Sequence, residues 1–253
     1  MTHIGVFDSG VGGLSVLREI HRHLPHIPTI YYADQVHLPY GQRQPDDIRQ
    51  LVENAADFLI AHGAQVIVLA CHTASAASLH ELRARVAHIP IVGMEPAVKP
   101  AAERTQSGVI GVLTTSATAK SGLYRRVVER FAQHVRVITE PAPALVTLVE
   151  SGMQNTPEGE AIMKGYLQPM NDAGADQIVL ACTHFPFLAD NLKRLTQAEL
   201  IDPSAAVARQ VARVLPGDFA PTSAPHLYYT SGDPDAFQQS VKALIGEAVR
   251  VNV

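Results

Sequence analysis

No apolar run in this sequence is long enough to span a bilayer, and no signal-peptide pattern opens it. A membrane is therefore not an expected partner, and the cytoplasm is the expected location. No basic run stands out either. The 20 Lys and Arg are interspersed with 24 Asp and Glu for a net charge of −4, so nucleic acid is not an expected partner. Cysteine is scarce: Cys71 and Cys182 are the only two. They are too few for a disulfide framework, and a reducing compartment would keep both as free thiols. Complete cofactor motifs are missing as well. Gly10, Gly12 and Gly13 suggest a dinucleotide turn with Asp34 as ribose ligand, but Ser15 stands where the third glycine belongs. No Lys follows in phosphate-loop spacing. No cofactor and no metal are expected.

What the chain does have is a repeated stretch. Of its 253 residues 47% are hydrophobic, enough for one substantial core or two smaller ones. Residues 66–76 read VIVLACHTASA and residues 177–187 read QIVLACTHFPF. Both contain Ile-Val-Leu-Ala-Cys, and both follow the cysteine with Thr and His in opposite order. A short apolar run rich in β-branched residues reads as a buried strand of a parallel sheet. The polar cluster then falls at the strand's C-terminal end, where open α/β sheets place ligands.

The rest of the chain fits that frame. Apolar runs at 4–7, 29–33, 91–92, 109–113, 135–139 and 227–230 read as further strands. Helical spacings fall between them: at 48–59, ended by Gly63; after each cysteine; at 158–173, ended by Gly174; and near 204–215 and 234–246. His21, His23 and His26 read as a solvated helix end. The first strand of each half ends in polar residues, at Asp8-Ser9 and at Thr114 to Thr118. The expected fold class is α/β: two similar lobes with mainly parallel sheets and an active-site cleft between them. Residues 1–94 plus 206–253 are expected to form the first lobe, and residues 95–205 the second.

A single buried cysteine commonly serves as a small hydrophobe. Two in matched polar contexts suit proton transfer at carbon, one thiolate removing a proton while the other thiol delivers one to the opposite face. Asp8 is an acid near the first thiol; Glu150 and His184 lie near the second. The same residues admit other roles. Asp8 suits an Asx-turn, Thr73, Thr118 and Thr183 suit helix caps, and Glu150 suits a surface acid. Cys71, His72, Cys182 and His184 would also make a Cys₂His₂ zinc set. A binding protein that retains a cleft without catalysis is a further alternative.

The motifs closely resemble those of the glutamate racemases, within the cofactor-independent aspartate/glutamate racemase superfamily. The matching pieces are Gly5 to Leu14 (GVFDSGVGGL), Pro39-Tyr40-Gly41, and Ala70-Cys71 with Thr73-Ala74-Ser75. Later come Gly111-Val112-Leu113 with Thr118, Leu148 to Gly152 (LVESG), and Cys182 to Pro186 (CTHFP). The resemblance implies two α/β lobes around one active site and interconversion of L- and D-glutamate for peptidoglycan. It implies Cys71 and Cys182 as acid/base thiols, assisted by Asp8, Glu150 and His184. Asp8, Ser9, Tyr40, Gly41, His72, Thr73, Thr118, Thr183 and His184 would hold a small amino-acid substrate. A homodimer is compatible with it.

The chain departs from the family at several positions. His72 stands where Asn normally follows the first cysteine; a charged His72 beside Cys71 would favour the thiolate, and the change keeps a racemase or isomerase of the same superfamily with an altered substrate as a rival reading. Gln35-Val36-His37 replaces the usual loop pattern, Thr147 stands where Pro is common, and Phe185 where Tyr is common.

Overall fold

In the computed structural model, which describes residues 3–217 and 224–252, the β-branched runs become strands and the helical spacings become helices. Residues 1, 2, 218–223 and 253 of the expected first lobe lie outside the described residues. The chain begins with β1 (His3–Asp8), α1 (Leu14–His23), β2 (Thr29–Ala33), α2 (Pro45–Ala61), β3 (Ala64–Leu69), α3 (His72–Arg85) and β4 (Ile91–Gly93). It continues with α4 (Val98–Arg104), β5 (Val109–Thr114), α5 (Ser116–Lys120), α6 (Gly122–Phe131), β6 (Arg136–Pro141) and α7 (Pro143–Glu150). Then come α8 (Pro157–Asp172), β7 (Gln177–Ala181), α9 (Ala189–Lys193) and β8 (Glu199–Ile201). The last elements are α10 (Ser204–Val214), β9 (Leu227–Thr230), α11 (Pro234–Ile245) and β10 (Val251–Asn252). Among the described residues, no helix is long and apolar enough to cross a membrane.

Two compact units result: Met1–Met94 with Ser204–Val253, and Glu95–Pro203. In the first, six parallel strands run in the order β10-β9-β2-β1-β3-β4. β1 lies inside the sheet, and all six of its residues are buried. Phe7 and Ile30 pack with Ile48, Val52, Ala55, Ala56 and Leu59 of α2. The helical spacing of those α2 residues exists to make this contact. α1 buries Leu14, Val16, Leu17 and Ile20 and packs on α10 and α11. Gly63, at φ 92, ends α2 in the left-handed conformation that glycine adopts without strain.

The second unit has four parallel strands in the order β6-β5-β7-β8. Ile110, Val112 and Val179 form its core with Val98, Ala101, Tyr124 and Val127. Its order repeats β2-β1-β3-β4 of the first unit, strand for strand. In both, the first strand is central, the second lies to one side, and the third lies to the other. Each thiol follows the third strand. The α/β fold class is as expected, and the internal repeat extends well beyond the cysteine segments.

Two local expectations need correction. α3 begins directly after Cys71, but no α-helix begins after Cys182. A 3₁₀ turn, Phe185–Leu188, comes first, and α9 is only five residues long. Phe185 and Leu188 are both fully buried. A 3₁₀ turn aligns side chains three apart, so it buries this pair on one side. His21 is also not a solvated residue. Its Nδ1 lies 3.0 Å from Glu247 Oε1, its Nε2 lies 2.9 Å from Thr29 Oγ1, and its ring lies 4.0 Å from that of His226. His23 and His26 are exposed.

Candidate active site

A sheet ordered 2-1-3-4 changes winding direction between its first and third strands, and ligands settle at the C-terminal ends there. In the first unit those ends carry Asp8 and Ser9 after β1, and Cys71 after β3. Register holds them side by side: Phe7 pairs with Leu69 and Asp8 with Ala33. The backbone continues the ladder, with Ala70 N–H donating to Phe7 O at 2.8 Å and Asp34 N–H to Asp8 O at 3.0 Å.

Cys71 caps α3, its Sγ accepting from Ala74 N–H at 3.5 Å. Ser9 Oγ lies 3.8 Å from the same sulfur. The thiol thus meets a helix N-terminus and a hydroxyl, both of which favour negative charge on sulfur. Asp8 Oδ1 accepts from Gly10 N–H at 2.8 Å, the Asx-turn expected of it, while its carboxylate is fully buried. Gly13 is required here for space. A Cβ on it would stand 2.6 Å from Asp8 Cβ and 2.7 Å from Tyr31 Oη.

Tyr40 is buried, and its hydroxyl donates to Asp34 Oδ2 at 2.6 Å. Burial, the bond to Asp34 and the negative charges of Asp34, Cys71 and Asp8 all oppose ionisation of the phenol, so it stays protonated. Asp34 also accepts from Ser231 Oγ at 2.9 Å and lies 2.8 Å from His37 Nδ1. Its carboxylate thus anchors the Tyr40 hydroxyl. Gly41 follows in the same 3₁₀ turn, Tyr40–Gln42. Asp34 and Ser231 as supports of Tyr40 were missed from sequence. The signal for Asp34 was its place just past the C-terminal end of β2, the strand-end position that singled out Asp8.

His72, the first residue of α3, and Thr73 are buried beside Cys71 in sequence. Burial pushes the His72 imidazole down to about 3. The ring is neutral at ordinary pH, so the expected charge-assisted effect on Cys71 does not operate. Both ring nitrogens are sealed from solvent and make no hydrogen bond to any described residue.

The second unit supplies a chain of three groups. Cys182 Sγ lies 3.7 Å from His184 Nδ1, and His184 Nε2 lies 2.6 Å from Glu150 Oε1. Burial alone would lower the His184 value. Hydrogen bonds to Cys182 and Glu150, with their negative charge, outweigh it and hold the imidazole well above the ordinary histidine value. Glu150, at the end of α7, is thus a half-buried partner of His184 rather than a free surface acid. Thr183 is buried next to Cys182. Thr114 Oγ1 donates to Ala181 O at 3.4 Å, tying the end of β5 to the end of β7.

The helix-cap alternatives are answered locally. Cys71 caps α3, and Thr115 caps α5 by accepting from Thr118 N–H at 3.2 Å. Thr115 also donates to Thr118 Oγ1 at 3.0 Å, which places Thr118 fully buried beyond the end of β5. No helix begins at Thr183. Both cysteines are free thiols. Among the described residues, no group of three or more His, Cys, Asp or Glu side chains is arranged to hold a metal ion.

Comparison with known proteins gives consistent relatives. The sequence model of the Asp/Glu/Hydantoin racemase family matches residues 4–211. The chain is 46% identical over 255 residues to a glutamate racemase of Ectopseudomonas mendocina (strain ymp), covering 99% of this chain and 97% of that protein. The crystal structure of glutamate racemase isoform RacE1 from Bacillus anthracis superposes with a TM-score of 0.88 at 30% identity, covering 99% and 96% of the two chains. Glutamate racemase from Francisella tularensis subsp. tularensis SCHU S4, solved in complex with D-glutamate, gives 0.87 at 25% identity, covering 100% and 97%.

Proposed function

The chain belongs to the Asp/Glu/Hydantoin racemase family, and from that membership we propose that it interconverts L- and D-glutamate by two-thiol proton transfer at Cα. The observation that supports this most is the repeated placement of a thiol. Cys71 and Cys182 follow the third strand of sheets with the same order, each beside a group able to exchange protons or steady charge.

The chemistry balances without an external reactant. A thiolate takes the Cα proton and becomes a thiol. The electron pair left on Cα is delocalised into the carboxylate. The opposite thiol donates its proton to the other face and becomes a thiolate. The product is the enantiomer, and the two sulfurs have exchanged protonation states. The protonated His184 can steady charge developing at Cys182, with Glu150 holding its ring. Ser9 and the α3 N-terminus do the equivalent at Cys71, with Asp8 assisting. Asp8, Ser9, Tyr40, Gly41, His72 and Thr73 would hold the substrate from the first unit, and Thr118, Thr183 and His184 from the second. The D-glutamate formed would supply peptidoglycan synthesis.

A chirality assay over a panel of amino acids tests the reading. Conversion of either glutamate enantiomer to the racemate is the expected result. Conversion of another amino acid with glutamate untouched would move the substrate, and no conversion of any would overturn the reading.

A further inference from the structure

The first sheet carries Asp8 and Cys71 where its strands end. Where its strands begin, it carries a polar network that the reaction does not use. Thr29 opens β2, and two imidazoles converge on its hydroxyl. His21 Nε2, from α1, lies 2.9 Å from Thr29 Oγ1, and His226 Nδ1, just before β9, lies 3.0 Å from it. The two ring centroids are 4.0 Å apart. Thr29 N–H also donates to His226 Nδ1 at 3.3 Å. On its other side His21 Nδ1 donates to Glu247 Oε1 at 3.0 Å, and Tyr228 Oη donates to Glu247 Oε2. Glu247 directly follows Gly246, which caps α11. Beyond it β10 pairs with β9, and Asn252 Nδ2 donates to Tyr228 O at 3.3 Å. The network therefore fastens the C-terminal segment to α1 and β2.

Counting hydrogens shows what this network tolerates. A carboxylate only accepts, so His21 Nδ1 carries a hydrogen, and the Thr29 hydroxyl has one hydrogen to give. With both rings neutral, the hydroxyl donates to the bare Nε2 of His21 and accepts from His226 Nδ1. With one added proton on His21, its Nε2–H donates to the hydroxyl. The hydroxyl then donates onward to a bare His226 Nδ1, which meets Thr29 N–H as well. With both rings charged, two N–H groups point at one hydroxyl, and that of His226 also opposes Thr29 N–H. Two positive charges then lie one ring stack apart against a single carboxylate.

We propose that this network is an acid-sensitive latch on the C-terminal segment, closed while at most one of His21 and His226 is charged and released when both are. His226 is faced by His21 from α1, His3 from β1 and Glu247 from beyond α11, and Tyr228 of β9 faces Glu247 in turn. Burial, then His21 and His3, lower the His226 value further than Glu247 raises it. The bond from His21, with that from Tyr228, holds Glu247 below the ordinary carboxylate value despite its burial. The open form thus binds the second proton better than the closed one, and opening sets in below the ordinary histidine value of about 6.5. Such an opening is local: it frees β10 and the start of β2 and leaves the interior strand β1 closed.

Residue-resolved amide hydrogen exchange on the full chain tests this, corrected for the intrinsic rate at each pH and followed from about pH 8 to 4.5. Wild type is compared with His226→Asn and Glu247→Gln. Asn keeps an acceptor at the Nδ1 position and takes no charge. In wild type, protection of the Thr29 and β10 amides is expected to fall at least tenfold on acidification, while β1 keeps its protection. His226→Asn should hold the segment closed throughout. Glu247→Gln removes the balancing charge and should move the opening to higher pH. No loss in wild type, an equal loss in His226→Asn, or a loss shared by β1 would overturn the latch. Should His226→Asn fail to fold, Glu247→Gln decides: an opening midpoint moved upward supports the latch, and an unmoved one overturns it.

Discussion

The His184 imidazole meets the Glu150 carboxylate at 2.6 Å while its other nitrogen faces Cys182 Sγ at 3.7 Å. The ring therefore bridges an acid and a thiol, and it retains its proton more tightly in the folded chain than in the unfolded one. A group whose folded value is raised contributes stability that is complete below its unfolded value, about 6.5. The contribution is lost as pH rises through the higher folded value. Urea unfolding of the wild type should show this alkaline loss, and Glu150→Gln should weaken it. An unchanged alkaline slope in Glu150→Gln would mean that the pair is not an ion pair in solution.

His72 has the opposite linkage. Its folded value is lowered to about 3, so between about 6.5 and 3 the unfolded chain binds a proton that the folded chain refuses. Stability should fall as pH drops through that window. His72→Leu should flatten this acid limb in urea titrations. A limb as steep as wild type's would show the imidazole to be solvated.

Removing either thiol should remove one of the two proton transfers. Cys71→Ala and Cys182→Ala are each expected to lose about 10²–10⁴-fold in racemisation. In deuterated water the wild type should incorporate solvent deuterium at Cα as each enantiomer inverts, read by proton NMR or mass spectrometry. Full activity in either alanine variant would sink the two-thiol mechanism.

The proposed mechanism gives both proton transfers to side chains of the chain itself, so chelator-treated and extensively dialysed protein should keep its racemase activity. A strict requirement for added metal or pyridoxal phosphate would overturn this.

Two glycine substitutions should separate site from scaffold. Gly13→Ala places its Cβ 2.6 Å from Asp8 and 2.7 Å from Tyr31 Oη. Such crowding costs about 1–3 kcal/mol and displaces Asp8, so activity should fall more than the loss of folded protein explains. Gly165→Ala, on an exposed face of α8 with nothing within 4 Å, should gain about 0.5–1 kcal/mol and leave activity unchanged. Chemical denaturation with kinetics on the same samples checks both.

The strands, the paired thiols and the helix-ending glycines were legible in sequence because each depends on local pattern. Ile-Val-Leu-Ala makes a buried strand wherever helices can cover it, and Gly63 and Gly174 both take positive φ. What was not legible depends on distant partners. Asp34 holds Tyr40 with help from Ser231, far along the chain, and His21 meets Glu247 from beyond α11. The neutrality of His72 is set by enclosure, which its neighbours in sequence do not reveal. The 3₁₀ turn after Cys182 came from the need to bury Phe185 and Leu188 together. Two segments that looked alike thus diverged just after their cysteines.

The unit formed by Met1–Met94 and Ser204–Val253 has a further consequence, for order of assembly. Its β2 borders β9, and its α1 leans on α10 and α11. During synthesis these N-terminal elements emerge first, yet their neighbours are translated only after the whole of Glu95–Pro203 has been made. The inserted unit is contiguous and can close while its host waits with an unpaired strand edge and a bare apolar helix face. Misassembly during translation should therefore be concentrated in the half that carries Cys71, and a nascent chain halted before α10 should bind chaperones through α1 and the edge of β2.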